Sequence, residues 1–306
     1  MAHIDATPHR KLAAQLDFSH SKSYRKVEHE MDLLPENTYL SAHYCNRWSG
    51  ILNLDGKHIK IRGYDKKIPF VYSIDFLTHD LPVGVLGPSE NTQVFLKLFR
   101  LLKTINYPLR IVVCDDNEAI KIALQQVYPK AKLQLCHNHY FENLRELLQT
   151  RTIATYRSFL CELKQAFCPK YHYFKRQAKL SSVNYQYARS SPVLLSIMAD
   201  IIRREDDLFA FKKVKNCPST NNIIEGYNSH LAGRLKTIKG FDSFRSAERW
   251  LNAWLVRRRT KKFTDCDIPF KHLNGICSLQ KTIKKDQNWP QILGLKPPKN
   301  QPKMKR

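Results

Sequence analysis

The chain has 306 residues, 42% of them hydrophobic, which supplies a buried core and excludes fibrous and intrinsically disordered classes. Its 51 Lys and Arg against 27 Asp and Glu give a formal charge of +24, far beyond what solubility requires, and such a charge calls for a large polyanionic partner, nucleic acid above all. No stretch approaches the roughly 20 apolar residues of a membrane span, and the first ten residues lack the apolar run of a secretory signal, so no membrane partner and a cytoplasmic, nucleoid-associated protein are expected.

Residues 1–45 read as a helix-turn-helix-like DNA-binding segment. Leu12, Ala13 and Leu16 recur at helical spacing, Asp17–Ser19 interrupts, and Ser21 is placed to cap a second helix. That helix would carry Lys22, Arg25 and Lys26 with Tyr24, a set suited to phosphate and base contacts. A plain helical hairpin on a basic protein fits the same letters, and the segment looks short for a full three-helix module.

From residue 46 to 139 the period changes. GILNLDGKHIKIRG alternates around Leu52, Leu54, Ile59 and Ile61, a strand containing or closely followed by Asp55. FVYSIDFL and PVGVLG give two more strands, with turns at 63–67 and 79–82, so three consecutive strands should run antiparallel. An amphipathic helix follows over 92–104, then the apolar strand RIVVCDD with Asp115 at its carboxyl end, a helix over 118–128, and the short strand KLQLCHNHY. The order βββαβαβ is that of an α/β, ribonuclease H-like mixed sheet, in which the first and fourth strands are neighbours.

Residues 140–217 lose the strand pattern and read as an all-α insertion, with Leu144, Leu147 and Leu148 in one helix and Val193, Leu194, Ile197 and Ile201 in another. Inside it, KYHYFKRQAK at 170–179 either stacks its rings on exposed bases or turns them into the core. Residues 218–262 return to the core as two helices, the first capped by Ser219 or Thr220 and ended by Gly240. Residues 234–262 hold ten Lys and Arg, among them Arg234, Lys236, Lys239, Arg257, Arg258 and Arg259, against two acids, so a basic face for the DNA backbone is expected. Residues 263–306 form a basic tail, extended and phosphate-seeking from Lys281 on. The eight cysteines form no Cys-x-x-Cys pair and read as mostly buried apolar groups in a reduced compartment.

On so basic a chain, carboxylates set where a polyanion must approach are unfavourable unless a cation lies between. Asp55, Asp115 and Glu225 are the acids whose elements would bring them together, and three carboxylates suit two Mg²⁺ or Mn²⁺ ions rather than zinc. Gly226 weakens its helix by about 1 kcal/mol relative to Ala, which suggests that a backbone, strand or substrate comes close there. Asn221, Asn222 and Asn228 surround Glu225 with polar groups, and Asn228 lies one turn away, able to orient the carboxylate or a phosphate oxygen. Cys136 and His139, with Cys168 and His172, offer an alternative zinc set, while a buried Cys and a hydrogen-bonded His explain the same letters.

LDGKHI around Asp55, VVCDDNEAI around Asp115, the Cys-x-x-His of QLCHNHYFENLR and TNNIIEGYNSHLAGRLKTIKGF around Glu225 together resemble the Mutator-type DDE transposases over roughly residues 48–260. The resemblance implies a ribonuclease H-like core interrupted by a helical insertion, two-metal strand cleavage and 3′-hydroxyl strand transfer, and a catalytic triad of Asp55, Asp115 and Glu225. It favours Asp115 over its neighbour Asp116, because the family motif sets the catalytic acid first after the strand, and gives His139 a positioning or DNA-contacting role. The implied partners are double-stranded DNA, as element ends and target, and further copies of the chain in a synaptic complex. A non-catalytic DNA-binding regulator or domesticated transposase, and a structure-selective nuclease of the same fold, are the alternatives.

Overall fold

The structure is a computed structural model that describes residues 2–5, 7–151, 153–187, 189 and 191–287. In chain order its elements are α1 (His9–Gln15), α2 (His20–Asp32), α3 (Asn37–Tyr44), β1 (Ile51–Ile59), β2 (Ile68–Asp75), β3 (Gly84–Leu86), α4 (Thr92–Thr104), β4 (Ile111–Cys114), α5 (Glu118–Val127), β5 (Lys132–Leu135), α6 (His137–Leu147), α7 (Ala154–Ala166), α8 (Tyr173–Tyr187), α9 (Pro192–Arg203), α10 (Glu205–Leu208), α11 (Asn222–Ile238), α12 (Phe244–Thr260) and α13 (Ser278–Thr282). The expected βββαβαβ order is present, and the class is α/β. Two compact units share the chain. The first comprises the residues up to Leu109, Ala119–Lys130 and the residues from Asn222 on; the second comprises Arg110–Glu118 and Ala131–Asn221.

In the first unit β1 and β2 pair antiparallel from Leu52↔Asp75 to Ile59↔Ile68, and β2 pairs antiparallel with β3. Every residue of β2 is buried, as expected of a central strand with both faces covered. α11 packs on β1, and α12 sets Trp254 edge-on to Phe70 and Tyr72, with centroids 6.4 and 5.5 Å apart. Such rings bury on the order of 150–250 Å² each, so Trp250 and Trp254, both 2% exposed, anchor α12 to the core. A side chain at Gly84 would meet Leu255 and the Phe70 ring at 2.9 Å, so the α12 approach requires glycine there.

Arg259 and Asp80 form a fully buried bidentate ion pair, Nε and Nη2 each donating at 2.8 Å. The guanidinium also donates to Asn37 and Ser41 of α3, and Ser278 of α13 donates to Asp80 at 2.8 Å. Two sequence expectations are corrected here. Arg259 is interior and joins no phosphate-binding face. The start of the tail is not an extended arm: α13 and Ile283 are buried, and Lys284 N–H donates to the Tyr44 carbonyl at 2.7 Å. The remainder of that arm, from residue 288, lies outside the described residues.

At the amino terminus α1 and α2 pack together as a helical pair. The α2 cap is Ser19, whose Oγ accepts the Lys22 N–H, rather than Ser21. A third helix, α3, follows where none was expected, because Leu40 alone of its apolar side chains is buried and no apolar stripe marks it. Arg249 of α12 clamps α2 through Glu28 at 2.6 Å and Asp32 at 2.9 Å.

In the second unit β4 and β5 run parallel, Cys114 opposite Leu135, and the helices α6 to α10 follow. His137 lies among the rings of Phe167, Phe209 and Phe211, and its Nε2–H donates to the Leu208 carbonyl at 2.6 Å. Desolvation by these rings lowers its pKa to about 4.

Candidate active site

Asp55 lies in β1, half-buried, and both of its carboxylate oxygens are held within the first unit. The Gly56 N–H donates to Oδ1 at 2.7 Å, and Asn228 Nδ2 donates to Oδ2 at 2.5 Å. The other end of the Asn228 amide accepts the Tyr72 hydroxyl at 2.8 Å. Burial, reinforced by the Asp55 charge, pushes the Tyr72 phenol well above its ordinary range, so it is a donor at any working pH. A fixed donor on the amide oxygen turns the Asn228 NH₂ toward Asp55. Tyr72 is the residue that sequence reasoning missed. The signal was available in principle, since the hairpin register sets Tyr72 directly opposite Asp55.

Glu225 sits on α11 one helical turn before Asn228, on the neighbouring stretch of the same face, and is half-buried. A Cβ at Gly226 would have no atom within 4 Å among the described residues outside its chain neighbours and its own helix backbone. The expected close approach of backbone or strand at Gly226 is therefore not present among the described residues. Asn222 begins α11 and is exposed, so neither Ser219 nor Thr220 directly precedes the helix.

In the second unit Asp115 follows β4 directly and is 40% exposed. His139 Nδ1 lies 2.6 Å from Asp115 Oδ1. Cys136 completes a group with them whose ligand atoms lie within 4.8 Å of one another. The Cys136 Sγ accepts the N–H of Asn221, the residue before α11, at 3.2 Å, and burial pushes its thiol pKa up. The neighbouring Asp116 turns elsewhere, into an ion pair with Arg204 at 2.6 Å that Asp200 shares. Cys168 and His172 are not in the cluster: among the described residues Asp115, Cys136 and His139 are the one such group. The four-ligand zinc set is thus not assembled.

The basic residues divide. Lys22, Arg25 and Lys26 are exposed along α2, and Lys236 and Lys239 are exposed at the end of α11, with Arg234 half-buried. Arg257 pairs with Asp5 at 2.6 Å, and Arg258 lies 4.6 Å from the Tyr227 ring centre. The arginine run of α12 is turned largely to the protein itself, which the count of charges along the sequence does not reveal.

Within the first unit Asp55 and Glu225 offer oxygen ligands of the kind hard divalent cations take, and within the second unit Asp115 is an acid oriented by an imidazole. No helix among the described residues is long and apolar enough to cross a membrane. The family model for Mutator family transposases matches residues 52–264, a span that includes Asp55, Asp115, Cys136, His139 and Glu225. No curated protein matches the chain.

Proposed function

The chain belongs to the Mutator family of transposases, and from that premise we propose that it is a DDE transposase that cleaves DNA strands and joins the freed 3′-hydroxyl to a target. The observation that carries the reading is that one family match spans all three acids, in order, and that each of them is half-buried. The βββαβαβ order, broken after β5 by helices, supports a ribonuclease H-like core. The exposed Lys22, Arg25 and Lys26 support a DNA-contacting role for α2.

In this reading Asp55, Asp115 and Glu225 hold the divalent ions. Bound Mg²⁺ or Mn²⁺ would supply activation of the attacking water or 3′-hydroxyl and stabilisation of the leaving oxygen. Gly56 and Asn228 keep the Asp55 carboxylate in one orientation, and Tyr72 keeps Asn228 in one amide orientation. His139 does the same for Asp115, which makes it a positioning residue. Cys136 belongs to the same support through Asn221. The ion pair of Asp116 with Arg204 favours Asp115 as the ligand.

The test is incubation of the purified chain with Mg²⁺ and DNA carrying the ends that flank its gene, pre-nicked to expose a 3′-hydroxyl. Joined products are expected, lost in Asp55→Asn and Glu225→Gln with DNA affinity retained or raised, since a charge that repels phosphate is removed. Hydrolysis without joining under every metal and end sequence would replace transposition with nuclease action.

A further inference from the structure

The solvent face of α8 has a chemistry that a packed helix does not need. Its inner face is ordinary: Arg176, Leu180 and Val183 are buried. Its outer stripe, Phe174, Ala178, Ser181 and Tyr185, is exposed throughout, at spacings that fall on one line of a helix. Phe174 is 77% and Tyr185 68% exposed, and the preceding Tyr173 is 54% exposed. The core-facing reading of KYHYFKRQAK is therefore corrected, since the rings that the sequence grouped with Lys175 point to water.

Each end of the stripe carries a cation beside a ring. Lys175 Nζ lies 4.3 Å from the Tyr171 ring centre, and the Arg189 guanidinium 4.5 Å from that of Tyr185. Between the two ends stand only Ala178 and Ser181, so nothing tall interrupts the stripe. Eleven residues of helix set Phe174 and Tyr185 about 16 Å apart, the rise of about five stacked nucleotides at 3.4 Å each. The sequence from Leu163 to Ala199 contains no Asp or Glu at all, against six Lys and Arg. Such a face complements a polyanion and repels none.

We propose that this face of α8 binds unpaired DNA, with Phe174 and Tyr185 stacking on bases and Lys175 and Arg189 on the adjoining phosphates. Duplex DNA hides its base faces in its own stack, whereas an unpaired strand offers them, and aromatic rings flanked by cations are the general means of holding such a strand. The inference rests on the reading of the chain as a DNA-processing enzyme and adds a second contact surface, on the helical unit, for the strand freed by cleavage.

The experiment measures affinity of the full chain for a fluorescein-labelled 20-nucleotide oligo(dT) and for a labelled 20-base-pair duplex by anisotropy. Phe174→Ala and Tyr185→Ala should each weaken oligo(dT) binding about 5-fold or more, with duplex affinity changed by less than about 2-fold and the circular dichroism of the fold unchanged. Tyr185→Phe, which keeps the ring, should bind oligo(dT) as the unaltered chain does. Unchanged oligo(dT) binding in the double Ala variant overturns the proposal while duplex binding leaves the enzyme reading standing. If that variant instead loses an oligomer seen by light scattering, the face is a contact with a second copy. Failure of the unaltered chain to bind either probe overturns the function reading and this inference together.

Discussion

Adjacent acids with opposite neighbours give a sharp comparison at the level of single residues. Asp115 meets His139 at 2.6 Å and stays 40% exposed, whereas Asp116 is paired with Arg204. Asp115→Asn should therefore abolish strand cleavage with DNA affinity intact, and Asp116→Asn should leave cleavage near the unaltered rate while costing at most about 1 kcal/mol of stability, as a partly exposed ion pair does. Cleavage assays on the two purified variants decide it, and the opposite pattern would move the metal ligand to Asp116. His139 is separable from both. His139→Ala should raise the Mg²⁺ concentration for half-maximal cleavage about 10-fold or more, and His139→Asn, whose Nδ2 stands near the original Nδ1, should restore part of it. Arg259 carries a different expectation, because its removal strands Asp80 in the interior. Arg259→Met should cost about 3–5 kcal/mol, read as an earlier urea midpoint, so a variant of normal stability would contradict the buried pair.

Elements were legible where the period of the sequence and the burial of the element agree. β4 is a pure apolar run, buried throughout, and α4 places Val94, Leu98 and Leu102 on one buried stripe, so their positions follow from the letters; β1 alternates in the letters but buries its first four residues in succession. α3 was illegible because its role is to hold Asn37 and Ser41 against Arg259 rather than to bury an apolar face. Asp80 and Arg259 are 179 residues apart, and no local pattern reports such a pair. The acids of the candidate site were legible as motifs, but the supports of Asp55 were only partly so, since Asn228 was read and Tyr72 was not. The outward turn of the α8 rings was open in the sequence because Phe174 and Arg176 lie on opposite faces of one short helix. The helical unit also contains a pH-dependent element. His137 titrates near 4 when folded and near its ordinary 6.5 when unfolded, so the unfolded chain binds the extra proton between those values. The contribution of His137 to stability should be constant above about pH 6.5, fall as pH drops toward 4, and level below it. His137→Phe should remove about one proton from that slope, measured by urea unfolding across the range; an unaltered slope would place the titration elsewhere.

For the whole molecule, the charge of +24 overstates the cations available to a partner. Arg176, Arg204, Arg249, Arg257 and Arg259 are each ion-paired within the fold, and a cation already paired with a carboxylate releases no counterion from DNA. The exposed Lys236 and Lys239 at the end of α11 are different. If they lie on phosphates, each contributes about 0.9 to the log–log slope of affinity against salt. Lys236→Gln with Lys239→Gln should therefore weaken duplex binding at low salt and flatten the slope by about 2. Arg249→Gln, which removes the same kind of charge from a residue bonded to Glu28 and Asp32, should leave the slope unchanged although it loosens α2. Titrations of one duplex from low to moderate salt compare the three proteins directly. Equal slopes in all of them would mean that the end of α11 does not touch the backbone, and that the duplex lies along the exposed cations of α2 instead.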